Sequence, residues 1–249
     1  MTFLPGARTH PLLYEEFCDA LARAGFTVVG LHGQGHGKSP RVRRPLTLGA
    51  LVTNARDAVG WARREVSDRV VACGSSQGGV LAMAVATVEP QLTAVVAHNI
   101  LDPRLPDSLL VTPVPGTPAA GLPRAAGRAP DGRPGRPGVA GPVRRLPGDG
   151  PGHPRSGDRR LLLDRPLRDG SIRCPVLVVA GRGDPLSPLG YTRQVFDEIV
   201  APAKELLVVE TDVHLLFVEA LEATLPPLLQ RLRALTAPVS RPTSPAPGA

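Results

Sequence analysis

The chain has 249 residues, 42% of them hydrophobic, which allows one large α/β domain or two small ones. Its net charge of +7 is concentrated in residues 113–160, which hold nine arginines against three aspartates, so the basicity does not describe a folded nucleic-acid-binding face. No apolar run approaches the roughly 18 residues of a membrane span, and MTFLPGARTH lacks the charged and apolar regions of a signal peptide, so a cytoplasmic protein is expected.

Within residues 11–24, Leu13, Phe17 and Leu21 recur at every fourth position and Gly25 follows, which predicts an amphipathic helix with a glycine cap. Residues 26–31 read as a buried strand. Residues 47–66 predict a second helix with Leu51, Ala55, Val59 and Ala62 on one face. Residues 69–73 form a strand. Residues 78–87 are apolar on every side and form a buried helix. Residues 92–97 form another strand. The pattern resumes at the strand 175–180, followed by a helix over 188–200 that carries Tyr191, Val195 and Ile199. A strand over 205–210 and a helix over 217–235 close the pattern, with a disturbance expected at Pro226 and Pro227. The tail 237–249 is expected to be disordered. Continuous apolar strands alternating with helices predict an α/β fold: a mostly parallel sheet of about six strands, covered by helices on both faces. Ligands of such sheets bind beyond the C-terminal strand ends. Cys18, Cys73 and Cys174 are odd in number, fit no metal spacing and lie in or beside apolar segments, as reduced and mostly buried thiols do.

GLHGQGHGKSP, residues 30–40, invites a nucleotide-binding reading. A phosphate-binding loop ending in Gly37-Lys38-Ser39 needs a glycine at position 32, which is His32. The dinucleotide form starting at Gly33 fails at Lys38. Such a loop also opens directly into a helix, whereas Pro40 and Pro45 intervene here. The glycines instead mark a tight turn.

Gly74-Ser75-Ser76-Gln77-Gly78 fits G-x-S-x-G between an apolar strand and an apolar helix. That pattern places Ser76 on a sharp bend with its hydroxyl above the sheet. Ser75 cannot be the central serine, because positions 73 and 77 are not glycine. The plain alternative is a small-residue turn with no nucleophile. The Gln77 N–H, at the start of the helix, can face an oxyanion. A serine nucleophile needs a base and an orienting acid, in the chain order Ser, Asp or Glu, His. Of the histidines after Ser76, His98 precedes any acid strand and His153 lies in the Pro/Gly/Arg segment, so His214 is the expected base. Asp184, just beyond strand 175–180, is the expected acid, with Asp212 as its rival. Otherwise Asp184 would be a helix cap and His214 a solvated loop histidine. His98 either lines the site or is a hydrogen-bonded histidine.

FLPG, LHGQGHGKS, GSSQGG, AGRGDP and DVH, in that order and at strand ends, resemble the α/β-hydrolase superfamily, in its esterase and lysophospholipase-like (monoacylglycerol lipase-like) branch. The resemblance covers most of residues 3–100 and 170–235. It implies a serine hydrolase that cleaves a carboxylic ester through Ser76, Asp184 and His214 by way of an acyl-enzyme. The substrate would be a small molecule with an apolar acyl group. Gln34-Gly35-His36-Gly37-Lys38-Ser39 is similar to the family's R-G-H-G-x-S turn, with Lys38 in solvent. By resemblance the second oxyanion donor is the Ala7 N–H, although Pro5-Gly6-Ala7 stands where the family has His-Gly-x. No cofactor or metal is implied, and no nucleic-acid partner. A peptidase or thioesterase on the same residues, or a non-catalytic relative, are the alternatives. Ser76 argues against relatives with an aspartate nucleophile. Residues 1–110 and 171–236 are expected as two parts of one core, with the first strands of the family missing. Residues 111–170 occupy the place of the family's helical cap. In 113–160, eleven prolines and eleven glycines exclude a packed lid. The segment is expected to be either a disordered insertion or a frame-shifted reading of a cap.

Overall fold

A computed structural model describes residues 1–40, 48–100 and 170–237. The expected cap-position segment, apart from Gly170, and the tail after Ala237 lie outside the described residues, and so does His153.

Six strands form one sheet: β1 (Thr2–Leu4), β2 (Val29–Gly30), β3 (Val71–Ser75), β4 (Ala94–His98), β5 (Val176–Gly181) and β6 (Lys204–Val209), in the order β2-β1-β3-β4-β5-β6. Every pairing is parallel. The helices are α1 (Glu15–Arg23), α2 (Leu48–Glu65), α3 (Gln77–Ala86), α4 (Leu189–Glu198), α5 (Leu216–Glu219) and α6 (Leu221–Leu235). Side chains alternate across the sheet. Leu4, Val70, Ala72, Val95, Ala97, Val176 and Val178 pack on one side with α2, α3 and α4. Phe3, Val71, Cys73, Val96, Leu177 and Val179 pack on the other side with α1, α5 and α6. This two-sided burial is why β5 is apolar throughout and β3 and β4 are apolar up to their last residues. Val28 and Phe26 lean on the second core although they precede the paired residues of β2.

Three expected elements differ in detail. The strand expected over 26–31 is paired only at Val29–Gly30, where it forms the sheet edge beside β1. The helix expected over 11–24 opens as a 3-10 turn, Pro11–Tyr14. That tighter winding rotates Leu13 outward and buries Tyr14 in line with Phe17 and Leu21. The last helix breaks at Ala220, and Pro226 and Pro227 lie inside α6. The carbonyls their missing N–H groups would have bonded, those of Glu222 and Ala223, belong to exposed residues that water can satisfy.

The register brings Leu4 beside Gly74 and Ser75 beside His98. The loops after β1, β3, β4, β5 and β6 therefore leave the same edge of the sheet.

Candidate active site

Between β3 and α3 the chain turns at Ser76, with φ 53° and ψ −119°. A non-glycine residue in this region is strained and is held there by its surroundings. Two close approaches hold it. A Cβ on Gly74 would lie 2.0 Å from the Gly78 carbonyl oxygen, and one on Gly78 would lie 1.8 Å from that of Leu4. Only glycine lets α3 start this close to the sheet. The Ser76 N–H donates to the His98 carbonyl at 2.9 Å. Ser75 points the other way, wholly buried, with its hydroxyl 3.2 Å from Nδ1 of His98.

His214 follows β6 in a short loop, and Asp184 follows β5. Nε2 of His214 lies 3.0 Å from the Ser76 hydroxyl oxygen, and its Nδ1 lies 2.9 Å from a carboxylate oxygen of Asp184. The other Asp184 oxygen accepts the N–H groups of Leu186 (2.8 Å) and Ser187 (3.1 Å). Burial raises the Asp184 pKa. The His214 imidazole and the two backbone donors outweigh burial and hold it below the usual carboxylate range. A carboxylate only accepts, so Nδ1 of His214 carries the proton and Nε2 offers its lone pair to the serine hydroxyl. The rival Asp212 is exposed. The structure thus brings Ser76, His214 and Asp184 together in one chain of hydrogen bonds.

The α5 turn after His214 is anchored by Phe217, which stacks on Phe17 at 4.3 Å between ring centroids and lies 5.4 Å from His98. The loop after β1 bends back on itself: Thr9 donates to the Gly6 carbonyl through its N–H and its hydroxyl. The Gly6 N–H donates to the Tyr14 hydroxyl. A Cβ on Gly6 would lie 3.5 Å from Cβ of Ser76, which places this loop against the serine. Among the described residues no hydrogen bond uses the N–H of Ala7 or of Gln77.

The glycine turn after β2 is bound into itself. The Lys38 N–H donates to Nδ1 of His32 at 3.0 Å, and the Gln34 N–H donates to Asn54 of α2 at 2.8 Å. A Cβ on Gly37 would lie 2.1 Å from the His32 ring, and Lys38 is exposed. Burial, the stacked His10 and Lys38 all lower the His32 pKa, which suits a ring nitrogen that must accept.

His98 ends β4 and Asn99 follows it, both without any exposure. Asn99 was not expected from the sequence. Its amide nitrogen lies 3.2 Å from Nδ1 of His214. The available signal was positional: a polar residue directly after a buried strand, at the edge where the other site residues emerge. His98, Asp184 and His214 also offer ligand atoms within 4.8 Å of one another, the one such metal-capable group among the described residues. Two of the three are already hydrogen-bonded to each other.

The all-parallel sheet, the strained serine turn and the loops that carry Asp184 and His214 define an α/β-hydrolase fold. A family model described as serine aminopeptidase, S33, matches residues 1–101. Solved structures align with 94% of the chain. One is a metagenome-derived lipolytic enzyme of the pair LipS and LipT, at TM-score 0.62 and 22% identity, covering 94% of this chain and 91% of that one. Another is a monoacylglycerol lipase from Paleococcus ferrophilus, at TM-score 0.64 and 22% identity, covering 94% of each chain. A third is a thermophilic esterase from Thermogutta terrifontis, at TM-score 0.62 and 17% identity, covering 94% of this chain and 89% of that one. No curated protein matches the sequence. The chain's likeness is therefore to α/β-hydrolases with lipase and esterase members. Among the described residues, no helix is long and apolar enough to cross a membrane.

Proposed function

We propose that the chain is a serine hydrolase that cleaves a small carboxylic ester with an apolar acyl group. The observation that carries this is the hydrogen-bonded chain from the Ser76 hydroxyl through His214 to Asp184, on a strained strand-to-helix turn. In this reading the Ser76 oxygen attacks the ester carbonyl while Nε2 of His214 takes its proton. The N–H groups of Gln77 and Ala7 hold the oxyanion. The carbon–oxygen bond then breaks, and the alcohol leaves with the proton from His214. Water, deprotonated by the same nitrogen, releases the acid from Ser76. Asp184 keeps the imidazole in the tautomer this requires and stabilises its cation. The lipolytic and esterase relatives favour an ester. The aminopeptidase description of the matched family favours an amide of an N-terminal residue as a second reading.

A fluorophosphonate probe with mass-spectrometric mapping, run beside p-nitrophenyl esters and aminoacyl p-nitroanilides, tests both. The expected label is on Ser76, with ester hydrolysis. Ser76→Ala is expected to lose on the order of 10⁴–10⁶ in rate, and Ser75→Ala to keep its activity. Preferential anilide cleavage selects the second reading. No label and no turnover of either substrate overturns both and leaves a non-catalytic relative.

A further inference from the structure

Asn99 is tied into the site more tightly than a strand-end residue needs to be. Its backbone is fixed from below: a Cβ on Gly79 would lie 2.3 Å and 2.6 Å from the carbonyl oxygens of His98 and Asn99, so α3 rests on this dipeptide. The same His98 carbonyl accepts the Ser76 N–H. Asn99 has φ 66°, a left-handed conformation that asparagine tolerates better than most residues.

Its side chain then meets the imidazole. The amide nitrogen is 3.2 Å from Nδ1 and 3.5 Å from Nε2 of His214. Neither ring nitrogen is open to it, because Nδ1 donates to Asp184 and Nε2 accepts from Ser76. An amide at comparable distance from both nitrogens therefore lies against the ring face and not on either hydrogen-bond axis. Its Oδ1 is buried without a partner among the described residues. A buried unpartnered carbonyl costs stability, so an apolar side chain of the same shape would serve the core better.

We propose that Asn99 is a positioning residue: its amide braces the face of the His214 imidazole, so that the two ring nitrogens stay on Ser76 and Asp184 at once. This rests on the reading of those three residues as the reaction centre. A base displaced by even an ångström loses most of its advantage, and the amide blocks the ring from rocking out of the plane that joins its two partners. The titratable groups facing the ring are Asp184 from the loop after β5 and His98 from β4, whose ring centroid is 5.5 Å away.

Two substitutions avoid backbone strain. Asn99→Gly suits the positive φ and removes the amide. Asn99→Asp keeps shape and φ tolerance but sets a second carboxylate against the ring. Both are assayed by steady-state ester hydrolysis across pH and by proton NMR of the hydrogen-bonded His214 Nδ1–H. Asn99→Gly is expected to lower kcat on the order of tenfold to a hundredfold with KM within about twofold, and to broaden the Nδ1–H resonance. Asn99→Asp is expected to move the acid limb of the pH–rate profile to higher pH. Unchanged kcat and an unchanged resonance in Asn99→Gly overturn the proposal. If that variant does not fold, an unmoved acid limb in Asn99→Asp overturns it. Should the parent chain neither hydrolyse esters nor label at Ser76, the reading of the centre fails. The Nδ1–H resonance still reports whether Asn99 orders the ring.

Discussion

At the scale of the residue, His98 is held neutral by its surroundings. Burial pushes its pKa down to about 3, the nearby His214 acts in the same direction, and Asp184 opposes them. An unfolded chain binds a proton at this position below its ordinary value of 6.5, while the native chain does not. Stability is therefore complete above pH 6.5 and declines as pH falls toward 3, by up to about 1.4 kcal/mol per pH unit. Asp184, depressed in the native state, has the same sign but acts only as pH falls through the carboxylate range. His32, also lowered in the native state, acts with the same sign below pH 6.5, so the difference between the parent chain and a His98 variant from about pH 4.5 to 6.5 is what isolates His98. Urea unfolding across that interval should show a steeper loss of stability in the parent chain than in His98→Gln. Parallel curves would mean the ring is not held neutral. Ser76, Asp184 and His214 were legible in the sequence because each follows a strand that its apolar run betrays. Asn99 was not, because its role depends on a ring 115 positions away and on a backbone conformation that one asparagine does not advertise.

At the scale of the element, glycine acts in opposite directions at two helical sites. Gly78 lies in the first turn of α3, where an added Cβ meets the Leu4 carbonyl at 1.8 Å, backbone against backbone. Gly60 lies deep within α2, where the nearest atom to an added Cβ is the guanidinium end of Arg64 at 3.3 Å, a flexible tip that can move aside. Gly78→Ala should destabilise by about 1–3 kcal/mol or more and abolish fluorophosphonate labelling. Gly60→Ala should stabilise by about 0.5–1 kcal/mol by removing backbone freedom from the unfolded chain. Thermal melts of the two variants check both signs, and a tolerated Gly78→Ala would mean that α3 can lift from β1. The G-x-S-x-G pattern disclosed the first site because two close approaches demand glycine at fixed spacing. The break at Ala220 was hidden for the converse reason. Two prolines drew the expectation to themselves, while the real stop has no residue of special conformational preference.

At the scale of the whole molecule, one sheet divides two cores and joins chain segments far apart in sequence, since β4 pairs directly with β5. β3 lies inside this arrangement, paired on both sides and covered on both faces. Its Cys73 is fully buried, and burial drives the thiol pKa far above its ordinary value. Cys18, on α1 at the edge of the second core, is half-buried, with its thiol raised to about 11 by burial and by Asp19. Thiol reagents react with the thiolate, so both cysteines are slow in the folded chain, but they are freed by different events. Fraying of α1 exposes Cys18. Exposure of Cys73 requires β3 to part from β1 and β4 together, which amounts to unfolding the molecule. Alkylation followed by mass spectrometry at increasing urea should show Cys18 reacting first and with little urea dependence. Cys73 should react only in step with global unfolding, with the full denaturant slope of the equilibrium transition. A Cys73 that reacts as fast as Cys18 without urea would mean that the sheet opens between β1 and β3, and that the serine turn at the end of β3 stands on a foundation that opens with it.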